Sequence, residues 1–250
     1  MCILMVVHKK VKGYPIVLAA NRDEYFDRPT RSPHLLQQAP AIWGGQDVKA
    51  GGTWLGINAY GIVVALTNRR LGEEQKNDST RRSRGLLCLE ALQCRTPEQI
   101  IAFLRNELAY RYNYFNLLIV THQAVYWVAY DGTPKIQQLE AGIHILANGD
   151  INDLETIRIR RARSLLQYGR ETELQALLPH LERVCRDHEN GVRDRDTICM
   201  HRPTENYGTV SSTIMALTSG VQKNVYRYAE GAPCLHAYKE YTLPFPFTSQ

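Results

Sequence analysis

Residues 1–24, MCILMVVHKKVKGYPIVLAANRDE, contain the segment on which the fold turns. Cys2 to Val7 is apolar at every position, and Ile16 to Ala20 is apolar again after a charged turn from Lys9 to Pro15. A strand that is apolar at both parities must be covered on both faces. The short connection makes the two segments antiparallel neighbours. Asn21-Arg22-Asp23-Glu24 follows at once, four polar residues that are costly to bury unpaired. Hairpin pairing brings this tetrad to the start of the first strand, beside Cys2.

A small residue at position 2 normally allows the initiator Met to be removed. Cys2 would then carry both a thiol, with a reference pKa of about 8.5, and a free α-amine, near 7.7–8.0. An N-terminal amine activating its own nucleophile is an established arrangement for acyl transfer. Asp23 is placed to accept from the α-ammonium, and Arg22 to favour the thiolate or orient an anionic group. Asn68 ends the strand VVALTN, and Asn148 ends another in Ala147-Asn148-Gly149. A carboxamide in either place can serve an oxyanion. A plain core cysteine, a solvated strand end and two turn asparagines account for the same residues taken singly.

Outward from this hairpin, a Pro- and Gly-marked excursion runs over residues 29–52. Thr53–Asn58 and Ile62–Thr67 then form a hairpin turned at Gly61. Two helices follow. One spans Ser83–Gln93; the other opens with Thr96-Pro97-Glu98-Gln99, a capping-box pattern, and carries Ile100, Ile101, Phe103, Leu104 and Leu108. Strands are expected at Phe115–Thr121, Ala124–Tyr130, Lys135–Glu140 and Ile143–Asn148, then helices at Leu154–Gln167 and Glu171–Arg186. The last strands are Thr197–His201, Gly208–Thr218, Asn224–Glu230 and His236–Leu243. Doubly covered strands with two helical pairs make an α+β protein of two stacked sheets sandwiched by helices, read as a single domain over residues 1–250.

The chain is 44% hydrophobic and 22% charged, which excludes disorder and a disulfide mini-scaffold. Its longest apolar runs are far short of the ~20 residues of a membrane span. The net charge of +5 is mostly arginine, gathered at Arg69-Arg70, Arg81-Arg82-Arg84 and Arg158-Arg160-Arg161-Arg163. With no nucleic-acid-binding pattern beside them, these clusters read as solvated helix faces or the rim of a site for an anionic ligand, and nucleic acid is not expected as a partner. Six scattered cysteines without a C-x-x-C pair or an export signal point to free thiols in a reducing cytoplasm. Cys199-Met200-His201 reads as a core thiol and a satisfied imidazole, since no second ligand pair is in view, so no metal is expected.

Taken together, Cys2, AANRDEYFDRP (19–29), AGGTWLGIN (50–58), VVALTNR (63–69) and YGTVSST (207–213) resemble the NRDE family, that of the transport and Golgi organisation protein 2. The similarity runs from Cys2 to about Leu217. This resemblance implies an N-terminal-nucleophile (Ntn) hydrolase-like fold, a four-layer αββα sandwich. The related enzymes in style are the cysteine-type penicillin and bile-salt acylases. By that resemblance Cys2 corresponds to the nucleophile, Asp23 to the second-strand aspartate and Asn68 to the oxyanion asparagine. Arg22 and Asn148 complete the expected catalytic group, with Asn21, Glu24, Trp54, Arg69 and Ser211 as substrate contacts. Trp43 and Trp54 either cap the core or line a pocket for an apolar ligand.

Two departures stand out. The acylase pattern puts an Arg three residues before the Asp, where this chain has Ala20. Many family members read Gly-Thr-Arg-Ser-Ser-Thr where Val210 takes the Arg position, so a late cationic contact is either missing or supplied by Arg202 or Arg227.

Two functions follow from the resemblance. One is cleavage of a small amide or acyl substrate through a thioester at Cys2, which needs no cofactor. The other is a non-catalytic carrier in haem trafficking, with acyl-coenzyme A as a further ligand. A Cys can ligate haem, and Arg clusters suit propionates or phosphates.

Overall fold

The structure is a computed structural model and describes residues 2–72, 77–107, 111–167, 173–189, 196–218 and 223–244. Its contacts divide the chain into two compact units, Met1–Arg28 with Ala141–Thr242, and Pro29–Glu140 with Leu243–Gln250.

In the first unit, β1 (Cys2–Val11) pairs antiparallel with β2 (Tyr14–Tyr25), in register from Cys2↔Arg22 to His8↔Ile16. The sheet is completed by β10 (Gly142–Leu146), β11 (His201–Arg202), β12 (Tyr207–Leu217), β13 (Val225–Ala229) and β14 (Lys239–Glu240). Its order is β10-β1-β2-β12-β13-β14, with β11 beside β12. Two helices, α3 (Ile157–Gln167) and α4 (Leu174–Arg186), cover one face. There Ile3, Met5, Val7, Val17, Ala19, Ile214 and Ala216 pack with Ile159, Leu177, Leu181 and Val184. The other parity is buried too, with Leu4, Val6 and Leu18 at 1% exposure or less. The unbroken apolar runs of β1 and β2 therefore have the double cover they require.

The second unit is an antiparallel sheet in sequence order. Its strands are β3 (Thr30–Gln38), β4 (Ala41–Asp47), β5 (Leu55–Asn58), β6 (Val63–Asn68), β7 (Phe115–Val120), β8 (Val125–Tyr130) and β9 (Pro134–Leu139). Helices α1 (Arg84–Ala91) and α2 (Pro97–Glu107) lay Leu87, Leu92, Ile100 and Leu104 on Val64, Leu66, Leu117 and Ile119. Ser83 caps α1 by accepting from the Gly85 N–H at 3.2 Å. Thr96 accepts from the Gln99 N–H at 3.3 Å, while the Gln99 side chain reaches the Arg95 N–H at 2.8 Å, one residue earlier than a capping box needs.

The sequence expectations differ from this structure in four places, one of them the last strand, where only Lys239–Glu240 of the expected His236–Leu243 is extended. The Asn-Arg-Asp-Glu tetrad does not terminate its strand: β2 runs on to Tyr25, because β12 pairs with it along Tyr207↔Tyr25 to Leu217↔Ile16. The excursion over 29–52 is largely a hairpin, β3 with β4. Pro33 falls at a register shift between Arg31 and His34, and Ala39-Pro40 forms the turn, so neither proline removes a needed ladder bond. Thr197–His201 contributes only its last residue to a strand. Leu108 and Glu171, expected in helices, lie outside the described residues, as does Met1. Among the described residues, then, the protein is α+β, two antiparallel sheets each carrying a helical pair, and no helix is long and apolar enough to cross a membrane.

Candidate active site

Cys2 heads β1 and stands directly across the ladder from Arg22, which in turn faces Ser211 on β12. Residues directly opposite on antiparallel strands share a face. Cys2, Arg22 and Ser211 thus form a row across three strands, on the face turned away from α3 and α4. Cys2 is half-buried and Arg22 is 5% exposed, with its Nη2 3.9 Å from Glu24 Oε2. Burial pushes the Cys2 thiol up; the Asp23 charge adds to this and Arg22 opposes it. The group therefore rests as a thiol at neutral pH.

Alternation sends Asp23 to the other face. Its carboxylate accepts from Arg158 Nη2 of α3 at 2.7 Å and from Thr209 Oγ1 at 2.7 Å, and both charged partners are buried. Arg158 Nη2 also donates to the Ile198 carbonyl at 3.3 Å. A bulge at Val210 makes this possible. The ladder steps from Thr209↔Asp23 to Ser211↔Arg22, so Thr209 joins Asp23 on the helix side while Ser211 joins Arg22 and Cys2 on the other. Tyr207 donates its hydroxyl to the Asp23 main-chain carbonyl at 2.8 Å. Burial, then the neighbouring Asp23 and Cys2, hold that phenol well above its usual range.

The remaining expected residues are placed as follows. Asn21 is fully buried on the helix side, and its amide NH2 donates to the carbonyls of Cys185 at 2.8 Å and Ile198 at 3.0 Å. It ties β2 to the end of α4 and is closed to a substrate, which corrects its assignment as a contact. Asn148 lies two residues beyond the end of β10, whose last paired residue, Leu146, stands opposite Leu4 two residues along β1 from Cys2. Arg202 pairs with Glu205, and Arg227 pairs with Glu182 of α4 at 2.8 Å. Since Arg227 is opposite Ile214 of the helix-side core, it is not on the face of Cys2, and a late cation from either arginine is not seen.

In the second unit, Asn68 ends β6 with the parity of Leu66, the side packed on α1 and α2. Thr67 has the opposite parity and belongs to a buried polar network that the sequence did not reveal. In it Asn116 Oδ1 accepts from Arg69 Nη1 and from Trp127 Nε1, each at 3.2 Å, and Asn116 Nδ2 donates to Thr67 at 3.3 Å. Trp54 is half-buried, and a Cβ on Gly45 would stand 2.5 Å from its ring.

Residues 1–227 match the family described as Transport and Golgi organisation 2. The chain belongs to that family. The Transport and Golgi organization protein 2 homolog of Homo sapiens is 36% identical over 111 residues, 42% of this chain and 38% of that protein. The Drosophila melanogaster Transport and Golgi organization protein 2 is 40% identical over 76 residues, 28% of this chain and 26% of its own length. The aligned stretches thus span well under half of these curated relatives. Among solved structures, a Caenorhabditis elegans N-acylethanolamine-hydrolyzing acid amidase ortholog aligns with a TM-score of 0.60 and 14% identity, covering 86% of this chain and 92% of that one. Penicillin V acylase from Agrobacterium tumefaciens aligns at 0.55 and 11% over the whole of both chains. The fold of this Transport and Golgi organisation 2 member is therefore Ntn-hydrolase-like.

Arg158, Thr209 and Tyr207 surround the Asp23 of this family member without having been foreseen. Arg158 was legible only as one of a run of arginines on a helix. Its partner is 135 residues away, a separation that a single sequence does not encode.

Proposed function

We propose that this protein hydrolyses a small amide or acyl substrate through a thioester on Cys2. The observation that carries the proposal is the position of Cys2 at the first residue of β1, partly exposed and directly across from Arg22. Because burial holds the sulfur as a thiol, attack needs a base within reach, and the α-amine of a mature Cys2 meets that need. The amine takes the thiol proton as sulfur bonds to the carbonyl carbon, then returns it to the leaving group. Water, deprotonated by the same amine, releases the acyl part. Arg22 orients an anionic substrate group, and Asn148 with a backbone N–H holds the oxyanion, a role worth about 3 kcal/mol for one donor. The solved acylases named above share the fold and support this reading by analogy alone.

Intact-mass measurement and a β-lactone probe test it. Ring opening on Cys2 adds the whole probe mass with no leaving group lost. The expected result is a mature chain beginning at Cys2, labelled once, with label absent from Cys2→Ala. A retained Met1, or label on other thiols only, overturns the proposal. Saturable haem binding at Cys2 without any acylation would move the assignment to the carrier function.

A further inference from the structure

The geometry points to a second site in the same unit, where Cys199, His201 and Cys234 form a three-ligand binding site for a thiophilic divalent cation, zinc(II). Their donor atoms converge: Cys199 Sγ is 3.5 Å from Cys234 Sγ, His201 Nε2 is 3.1 Å from Cys234 Sγ, and Cys199 Sγ is 3.6 Å from His201 Nε2. Zinc–sulfur bonds of about 2.3 Å and zinc–nitrogen bonds of about 2.0–2.1 Å imply tetrahedron edges of about 3.8 Å between sulfurs and about 3.5–3.6 Å between sulfur and nitrogen. The three atoms thus already lie near three corners of one coordination tetrahedron, with adjustments of a few tenths of an ångström.

Each ligand is fixed by a different part of the chain. Cys199 is fully buried, and its N–H donates to the Asp187 carbonyl beyond α4 at 2.7 Å. The next residue, Met200, donates to Thr209 Oγ1 at 2.8 Å, the same hydroxyl that donates to Asp23. His201 is held in β11 opposite Gly208. Cys234 sits on a tight turn in which the Leu235 and His236 N–H groups both reach the Ala232 carbonyl at 2.9 Å, and Arg186 Nε grips that turn through the Pro233 carbonyl at 3.1 Å. Donors positioned in advance by separate elements are what a metal site needs and what an accidental thiol contact lacks.

Cys199 and Cys234 are free thiols, with their sulfurs well beyond the ~2.05 Å of a disulfide bond. A disulfide would also leave the converging imidazole without a purpose. Binding displaces one proton from each thiol to solvent and leaves the imidazole neutral. Cys234 and His201 are partly exposed and give the entry path. The fourth position falls to water or to the exposed His188, whose ring stands edge-on to that of His201 with centroids 5.7 Å apart.

The test is equilibrium dialysis of the reduced full chain against zinc chloride, with metal counted by mass spectrometry, and a parallel cobalt(II) titration read by its thiolate charge-transfer band. Expected are one equivalent per chain with a Kd below about 1 μM, a cobalt band, and at least a hundredfold weaker binding in Cys234→Ser and in His201→Gln. Both changes lie at partly exposed positions, and circular dichroism checks that the variants stay folded. Less than a tenth of an equivalent overturns the proposal. So does a full equivalent that survives both substitutions, or a Cys199–Cys234 disulfide that forms in mild oxidant while the reduced chain takes up no metal. Cys2→Ala keeps its zinc if the two sites are separate, so failure here and failure of the proposed hydrolase are told apart.

Discussion

Cys2 and Asp23 lie on neighbouring strands one register step apart, yet their side chains leave the sheet on opposite faces. Cys2 shares its face with Arg22, its ladder partner, while the Asp23 carboxylate is bound on the other side by Arg158 and Thr209. Asp23 therefore influences the thiol through its charge and its main chain. That charge raises the thiol pKa and Arg22 lowers it. Asp23→Asn is accordingly expected to speed alkylation of Cys2 by iodoacetamide near pH 8, and Arg22→Gln to slow it, because only the thiolate reacts. Peptide-level mass spectrometry over a pH series reads both. Shifts in the same direction would show that the two side chains do not act on the thiol by charge.

The buried Asp23–Arg158 pair carries a stability prediction. Removing one partner leaves an uncompensated buried charge, at a cost of about 3–5 kcal/mol. Arg158→Met and Asp23→Leu should each lower the urea midpoint strongly, whereas the double variant should recover much of the loss, since no lone charge remains. A double-mutant cycle measures the coupling. Additive losses would mean that the pair is not linked in solution as it is in the structure.

The hairpin of β1 and β2 and the helices were legible because each rests on local rules: apolar parity, a capping Thr, a turn Gly; the order β10-β1-β2-β12 rests on pairings between distant segments and was not. The position of Cys2 beside Arg22 followed from the same register. The tetrad's division between two faces was also implicit in alternation, but the costliness of burying Asp23 hid it until Arg158 was found waiting across 135 residues. The run over 29–52 conceals its hairpin for another reason. Its glycines and prolines look like loop residues, whereas Gly44 is a packing necessity inside a strand: a Cβ there would stand 2.6 Å from the Leu55 carbonyl oxygen of the neighbouring strand. The Cys199–His201–Cys234 cluster stayed hidden because its third ligand lies 33 residues beyond the second.

Gly52 of AGGTWLG and Gly72, sixteen residues beyond that motif, make a matched test of that packing account. A Cβ on Gly52 would fall 2.2 Å from the carbonyl carbon of Gly85 at the start of α1, and backbone cannot step aside as a side-chain tip can. Gly52→Ala is expected to destabilise by at least about 1–3 kcal/mol. Gly72→Ala, where nothing among the described residues lies within 4 Å of the new Cβ, is expected to stay within about 0.5 kcal/mol of the parent. Thermal unfolding of the two variants side by side decides it. Equal stability would mean that α1 does not press on residue 52 as the structure has it.

The pH dependence of acylation follows from the state of Cys2. Burial holds its thiol above the ordinary value, so rising pH does not supply thiolate until the solution is well alkaline. The group that changes first is the α-amine, with a reference pKa near 7.7–8.0. As pH rises through that value the amine loses its proton and becomes able to accept the one on sulfur. The probe's second-order rate constant with the mature protein should therefore climb about tenfold per unit below the amine pKa and level off above it. A form that keeps Met1 moves the amine one residue away, and should show a much slower rate that rises only as the thiol itself ionises. Identical profiles for the two forms would remove the amine from the mechanism and leave Cys2 as a slow, unassisted thiol.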